Sequence, residues 1–267
     1  MKITRIKTPV KGKTDFYFIA GDWHFEAMDK PSYSIMCQHA KTIPKNQRKL
    51  IINGDFLDAE FLMKKNEMFK IWSKKDNGCD EFFCPKADLE FEWANKILDE
   101  LGEIFPKIYF VEGNHDWRYG MFKEMCPREY AHNFDIVKRM YLEDREIPFV
   151  KYNDWLDVGK LSITHGIYCG TSALKKHYEA SGGRNVVYSH VHHADSKSFI
   201  CRGETKKVWS LPCFSDTNPE YIKNRDNNWE KGYGTFAMKS NGNFHLNIHV
   251  VYDDSIILSN GKEICAK

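Results

Sequence analysis

The sequence predicts an α/β fold on three observations. Short apolar runs alternate with helix-like stretches over roughly the first 200 residues. Five of those runs close on a polar cluster, as strands do when functional groups hang from their C-terminal ends. Beyond residue 200 the periodicity changes to alternation of the antiparallel kind.

Residues 15–20 (DFYFIA) are an aromatic and apolar run ending at Gly21-Asp22, which reads as a buried strand entering a loop. A helix is expected over residues 32–42, capped by Ser32. Residues 49–53 (KLIIN) repeat the strand pattern and close on Gly54-Asp55. The next helix is expected over 87–104, where Leu89, Phe91, Trp93, Ile97, Leu98 and Leu101 recur at mixed helical spacing. Residues 107–111 (KIYFV), 161–164 (LSIT) and 185–189 (NVVYS) are further strands that run into polar clusters. Residues 207–211, 234–239 and 243–251 are expected as antiparallel strands, with a turn at Ser240-Asn241-Gly242. No internal repeat or low-complexity tract occurs, so residues 1–267 are expected to form one domain. Two stretches, 63–86 and 117–148, interrupt the strand series just after polar clusters. They are candidates for loops or a small cap over a site, where substrate preference resides, or for surface decoration.

Composition sets the class. With 42% apolar and 28% charged residues, the chain is an ordinary globular protein by content. A net charge of +2, from 39 basic and 37 acidic residues, gives no global sign of a nucleic-acid or membrane binder and leaves room only for local patches. Residues 1–13 lack a signal-peptide core and no 18-residue apolar run occurs, so a cytoplasmic location without a membrane partner is expected. The eight cysteines are scattered without a Cys-x-x-Cys pair and read as reduced thiols.

The chemistry lies in five clusters: Asp22-Trp23-His24, Gly54-Asp55-Phe56-Leu57-Asp58, Gly113-Asn114-His115-Asp116, Thr164-His165-Gly166 and His190-Val191-His192. Carboxylates, imidazoles and an amide are the N/O donor set that suits Mn, Fe, Zn or Ni. Two ions about 3.5–4 Å apart that hydrolyse a phosphate ester need a shared carboxylate, terminal ligands on each ion and an open face for phosphoryl oxygens. Asp22 and His24, two residues apart beyond one strand, can turn to one ion, and Asp55 on the next strand end is placed to bridge. Asn114 offers a neutral amide oxygen, which keeps the site's charge low enough to accept an anion. His165, His190 and His192 complete the set. Isolated histidines such as His39, His132, His177, His245 and His249 read as surface or satisfied core residues.

In that order the clusters resemble the calcineurin-like metallophosphoesterases, whose pattern runs D-x-H, G-D-x-x-D, G-N-H-[DE], a lone His before Gly, and G-H-x-H. The match spans residues 22–192, with Ser189 where Gly is usual. The resemblance implies a four-layer αββα sandwich, two mixed β-sheets flanked by helices. It also implies two divalent metal ions, Mn²⁺ foremost with Fe, Zn or Ni as alternatives. Asp22, His24 and His192 would hold one ion, Asn114, His165 and His190 the other, with Asp55 bridging. A hydroxide between the ions would attack phosphorus in line. His115 would contact the phosphoryl group or protonate the leaving oxygen, and Asp58 would orient that imidazole.

Substrate class is less sharply written. Protein phosphatases of this superfamily carry Asp-Arg-Gly after the second block and Glu closing the third; this chain has Asp58-Ala59-Glu60 and Asp116. Both departures point to phosphodiesterases, nucleases and small-molecule phosphatases. Trp23 and Trp117, inside the clusters, could stack on a base, or could be packing residues. Arg118 could reach a substrate phosphate with its planar fork, or form a surface ion pair. Basic residues in 2–13 and 41–49, and the mixture of Tyr221, Lys223, Arg225, Trp229 and Lys231, lean the same way. The expected function is a phosphodiesterase acting on nucleotides or nucleic acid. A small-molecule phosphomonoesterase and a metal-free interaction scaffold are the alternatives.

Overall fold

The computed structural model describes residues 1–62, 82–201, 203–219 and 226–267. Two six-stranded mixed sheets face each other with helices outside both, so the expected four-layer αββα sandwich is what the chain forms.

The first sheet is built around three parallel strands, β2 (Thr14–Ala20), β3 (Arg48–Asn53) and β4 (Ile108–Val111), of which β2 and β3 are joined through a helix, α1 (Lys30–Lys41). The helix α2 (Cys84–Ile104) leads into β4, and a two-residue strand β5 (Phe149–Val150) extends the parallel side. On the other side β2 pairs antiparallel with β11 (Gly232–Lys239), and β11 with β12 (Phe244–Val250), through the turn at Ser240-Asn241. The register Ile19–Ile51–Tyr109 runs across β2, β3 and β4 and brings their C-terminal ends to one edge.

The second sheet runs β1 (Ile3–Ile6), β6 (Trp155–Val158), β7 (Leu161–Thr164), β8 (Asn185–Tyr188), β10 (Glu204–Ser210) and β9 (Asp195–Cys201). Strand β10 was expected to be antiparallel; it is antiparallel only to β9 and lies parallel to β8. Alternation reports a half-buried strand and carries no information on direction, which depends on how the chain returns.

Three apolar layers hold the elements together. Tyr17, Ile19, Ile51 and Val111 of the first sheet meet Leu156, Leu161, Ile163 and Val187 of the second, forming the core between sheets. Phe18, Leu50, Ile52 and Phe110, on alternate positions of the same strands, face Ile35 and Met36 of α1 and Phe91, Leu98 and Leu101 of α2. Such strands are apolar on both faces, which is why they read as continuous apolar runs. Beneath the second sheet, Trp155, Val186, Tyr188 and Val208 pack on α5 (Ala173–Ala180). A short hairpin, β13 (Ser255–Ile257) with β14 (Glu263–Cys265), sends Ile256 and Ile264 into the layer of α1 and α2.

Two expectations need correction or restriction. Ser32 does not cap α1: the helix starts earlier, and the Asp29 carboxylate accepts the Ser32 N–H at 2.9 Å, with Pro31 in the first turn where its missing N–H costs nothing. Ser32 Oγ is buried without a hydrogen bond among the described residues. The stretch 63–86 lies outside the described residues as far as residue 81, and from Cys84 it belongs to α2. The stretch 117–148 is helical: α3 (Asn114–Met125), a 3-10 turn at Ala131–Phe134, and α4 (Ile136–Arg139). Its Tyr119, Phe122, Phe134, Ile136 and Met140 are buried in the same layer as α1 and α2.

Candidate metal centre

All five polar clusters meet at the C-terminal strand edge of the sandwich. Asp22 and His24 follow β2, Asp55 follows β3, and Asn114 opens α3 after β4; His165 follows β7 and His190 and His192 follow β8. The first sheet therefore supplies the carboxylates, the amide and the His24 imidazole, and the second sheet supplies three more imidazoles. Three overlapping groups have donor atoms within 4.8 Å of one another: Asp22, His24 and His192; His24, Asp55 and His115; Asp55, His165 and His190. Asn114 Oδ1 stands 3.1 Å from His165 Nε2, beside the last group.

The loops that bring these groups together are locally strained. Asp22, His24, Asp55, His190 and His192 have φ of 57, 51, 50, 75 and 59°, in the left-handed region that costs a non-glycine residue on the order of 1–3 kcal/mol. Sharp turns of this kind let a chain leaving a strand fold its side chains back over the strand end. Close approach is met by glycine: a Cβ on Gly113 would stand 2.2 Å from Asp55 Oδ1, and one on Gly54 2.3 Å from His165 Nδ1. Ser189, where glycine was the expected residue, is accommodated because its buried hydroxyl accepts a hydrogen bond from Asn53 Nδ2 at 2.8 Å.

The imidazoles are oriented by their second nitrogens. His165 Nδ1 donates to the Asn53 carbonyl at 2.8 Å, His115 Nδ1 to the Asp58 carbonyl at 2.7 Å, and His24 Nδ1 lies 3.2 Å from Asp58 Oδ1. Each bond commits Nδ1 and leaves Nε2 directed into the cluster. There His24 Nε2 faces His192 Nε2 at 3.4 Å, His192 Nε2 lies 3.3 Å from Asp22 Oδ1, and His165 Nε2 lies 3.2 Å from Asp55 Oδ2. Two imidazole nitrogens and a carboxylate oxygen this close together are a donor arrangement suited to a cation. The donor set fits divalent metal ions.

Charge in the cluster says the same. Burial alone would raise Asp22, but the His192 and His165 imidazoles outweigh it and hold the carboxylate below its usual range. Asp55 is held well below that range as His165, His115 and His24 outweigh its burial. Burial would lower His165, yet Asp55 and Asp22 push it up to about 10. Carboxylates and imidazoles so placed compete with a metal ion for protons, and metal binding would release them.

Beside the donors stands His115. Its backbone N–H donates to Asp55 Oδ1 at 2.8 Å, its Nδ1 is 3.2 Å from Asp58 Oδ1, and its ring lies edge-on to His24 at 4.5 Å. Asp58 thus touches both His115 and His24. Arg118 Nη1 donates to the Asp58 carbonyl at 3.0 Å and lies 2.9 Å from His115 Nδ1, so it is drawn into the site and forms no surface ion pair among the described residues. Asp116 is fully buried, and its carboxylate accepts the N–H groups of Gly113 and Leu57, both at 2.9 Å, tying the third cluster to the second. His193 turns away to the Val191 carbonyl.

Trp23 is not a stacking residue. It is wholly buried, donates from its indole to the Ala20 carbonyl at 3.0 Å, and packs on Phe56 and Phe214. Its neighbours come from distant loops, so nothing in the local sequence could show the burial. Trp23→Ala is expected to lower unfolding free energy by about 3–5 kcal/mol in denaturant titration. An activity loss at unchanged stability would return the ring to the substrate site. Trp117, by contrast, is 43% exposed. Of the aromatic and basic mixture near residue 230, Tyr221, Lys223 and Arg225 lie outside the described residues; Trp229 rests edge-on against His192 at 4.2 Å, and Lys231 pairs with Asp29.

Sequence reading missed two participants. Glu90 of α2, only 4% exposed, accepts the N–H groups of Asp58 and Ala59 and the Tyr119 hydroxyl, holding the loop that carries Asp58. Burial pushes its carboxyl up to about 8. Its only sequence signal is a carboxylate on the buried face of a helix. Cys169 Sγ lies 3.1 Å from His190 Nε2, on a loop with no signal at all.

The sequence profile described as calcineurin-like phosphoesterase matches residues 17–231. No curated protein matches the chain. Among solved structures, the chain is similar to Vps29 of Chaetomium thermophilum, with a TM-score of 0.44 and 11% identity over 94% of this chain and 92% of that one. It is similar to the Thermotoga maritima protein TM1076, with a TM-score of 0.38 and 10% identity over 89% and 99%. It is also similar to a 5'-nucleotidase precursor of Thermus thermophilus, with a TM-score of 0.35 and 10% identity over 89% and 55%.

Proposed function

This chain belongs to the calcineurin-like phosphoesterase family, and on that footing we propose that it is a dinuclear, metal-dependent phosphodiesterase acting on nucleotides or nucleic acid. The observation that carries the reading is the set of overlapping donor groups, in which Asp55 is common to two. Asp22, His24 and His192 would hold one ion and Asn114, His165 and His190 the other, with Asp55 shared. Divalent ions there supply charge neutralisation for phosphoryl oxygens and bring the pKa of water toward neutrality, and manganese is the first ion to test.

The protein's own groups do the rest. His115, with Nδ1 committed to Asp58, presents Nε2 to the phosphoryl group and can pass a proton to the leaving oxygen. Burial would lower the imidazole, but Asp58 and Asp55 outweigh it and favour the protonated form such a donor needs. Asp58 orients the ring, and Glu90 holds Asp58. Arg118 donates one N–H to the same loop and has further N–H groups to offer a phosphoryl oxygen.

The test compares hydrolysis of bis-p-nitrophenyl phosphate with p-nitrophenyl phosphate after Mn²⁺ loading, and again after chelation. Diester turnover that chelation abolishes is the expected result. Monoester preference would replace the diesterase reading by the phosphomonoesterase one, and no turnover of either would favour the scaffold.

A further inference from the structure

Next to the donor cluster lies an aromatic pair that the centre itself does not use. The Tyr152 ring stands 6.4 Å from the His165 ring, and the Trp117 ring 5.7 Å from Tyr152, so the two rings lead outward from the metal donors in series. Trp117 is on the first turn of α3, three residues after Asn114, while Tyr152 is pinned by its own N–H donating to the buried Glu112 carboxylate at 2.8 Å. Both rings line one cavity of about 360 Å³, within the range of small-molecule pockets. An aromatic ring 43% exposed gives up water readily to another flat ring.

The other walls decide which flat ring. Glu112, Glu124 and Asp135 line this cavity against Lys123 and Lys151, and Lys123 is already paired with Asp135 at 2.6 Å. A polynucleotide laid across Trp117 would bring further phosphates against those carboxylates. A single nucleoside brings one phosphoryl group, which belongs at the metal donors, and an uncharged base.

Resting on the phosphoesterase reading above, we infer that Trp117 and Tyr152 form the base-binding subsite for a mononucleoside phosphoester, with the nucleobase stacked on the aromatic pair and the phosphoryl group at Asp55, Asn114 and His165. The centre then acts on small nucleotides, and its selectivity comes from ring stacking.

Calorimetric titration of the Mn²⁺-loaded protein with adenosine 5'-monophosphate, ribose 5-phosphate and a thymidylate hexamer tests this. Adenosine monophosphate is expected to bind about five- to a hundred-fold more tightly than ribose 5-phosphate, the value of one stacked base. Trp117→Ala should bring the two within about twofold while ribose 5-phosphate binding stays unchanged, and Trp117→Phe should keep most of the difference. Equal affinities in the unaltered protein, an undiminished preference in Trp117→Ala, or tighter binding of the hexamer would each overturn the inference. Hydrolysis of bis-p-nitrophenyl phosphate, measured on the same preparation, separates the two levels. If it proceeds without a base preference, only the subsite is wrong. If neither it nor p-nitrophenyl phosphate is hydrolysed, the phosphoesterase reading fails as well.

Discussion

Asp55→Asn is expected to weaken both ions together, by at least 100-fold, and to take turnover with them. Asp55 is 2% exposed and belongs to two of the three donor groups, so its charge is seen from both sides of the centre. Replacing even an outer partner of a metal ligand costs 10- to 100-fold in affinity, and a shared ligand stands closer than that. The amide keeps an oxygen that can accept the His115 N–H, now 2.8 Å from Asp55 Oδ1, so the loop should hold its shape. Metal content after dialysis, read by mass spectrometry beside far-UV circular dichroism, checks this. Retention of both ions, or loss of one alone, would show that Asp55 is not shared.

His115→Ala is expected to lower kcat by about 100- to 10,000-fold, the usual contribution of a positioned proton donor, while both ions stay bound. The geometry makes metal content the decisive readout. His115 also falls in one of the three groups whose atoms could converge on an ion, with His24 and Asp55. As a ligand its loss would strip metal; as a proton donor held by Asp58 its loss would strip only rate. Asp58→Asn gives an internal comparison, because Asp58 touches both His115 and His24 at 3.2 Å. It should lower kcat without the full effect of removing the ring, and a change in metal content there would come through His24.

Legibility of the fold followed burial. Strands β2, β3, β4, β7 and β8 were placed to within one or two residues, because strands covered on both faces are continuous apolar runs. Strands β1, β6 and β9 passed unnoticed: β1 and β9 are sheet edges, where one flank needs no apolar cover, and their partners lie more than a hundred residues away or on the far side of a turn. Helix α1 is legible as a helix, but its start is not, because Asp29 and Ser32 are both residue types that cap helices and only the fold shows which one does.

The site divided along a similar line. The residues that the structure gathers at the strand ends could be named from their types, order and position after strands. The groups that hold the donors could not: Glu90 acts on Asp58 and Ala59 from about thirty residues away, and Asn53 orients His165 across the two sheets at 2.8 Å. Trp23 and Trp117 looked alike in sequence, each beside a histidine or aspartate of a cluster. One proved to be core and the other half-exposed.

By itself the sequence determined the α/β class, the family and the set of chemical groups available, because hydrophobic run length and donor type are properties of the residues in order. Tertiary structure decided which donors share an ion-sized space, which imidazole nitrogens point into it and which tryptophan meets solvent. Those depend on the packing of one sheet against the other, where Asp22 and His192, 170 residues apart, come within 3.3 Å only because β2 and β8 end on the same edge.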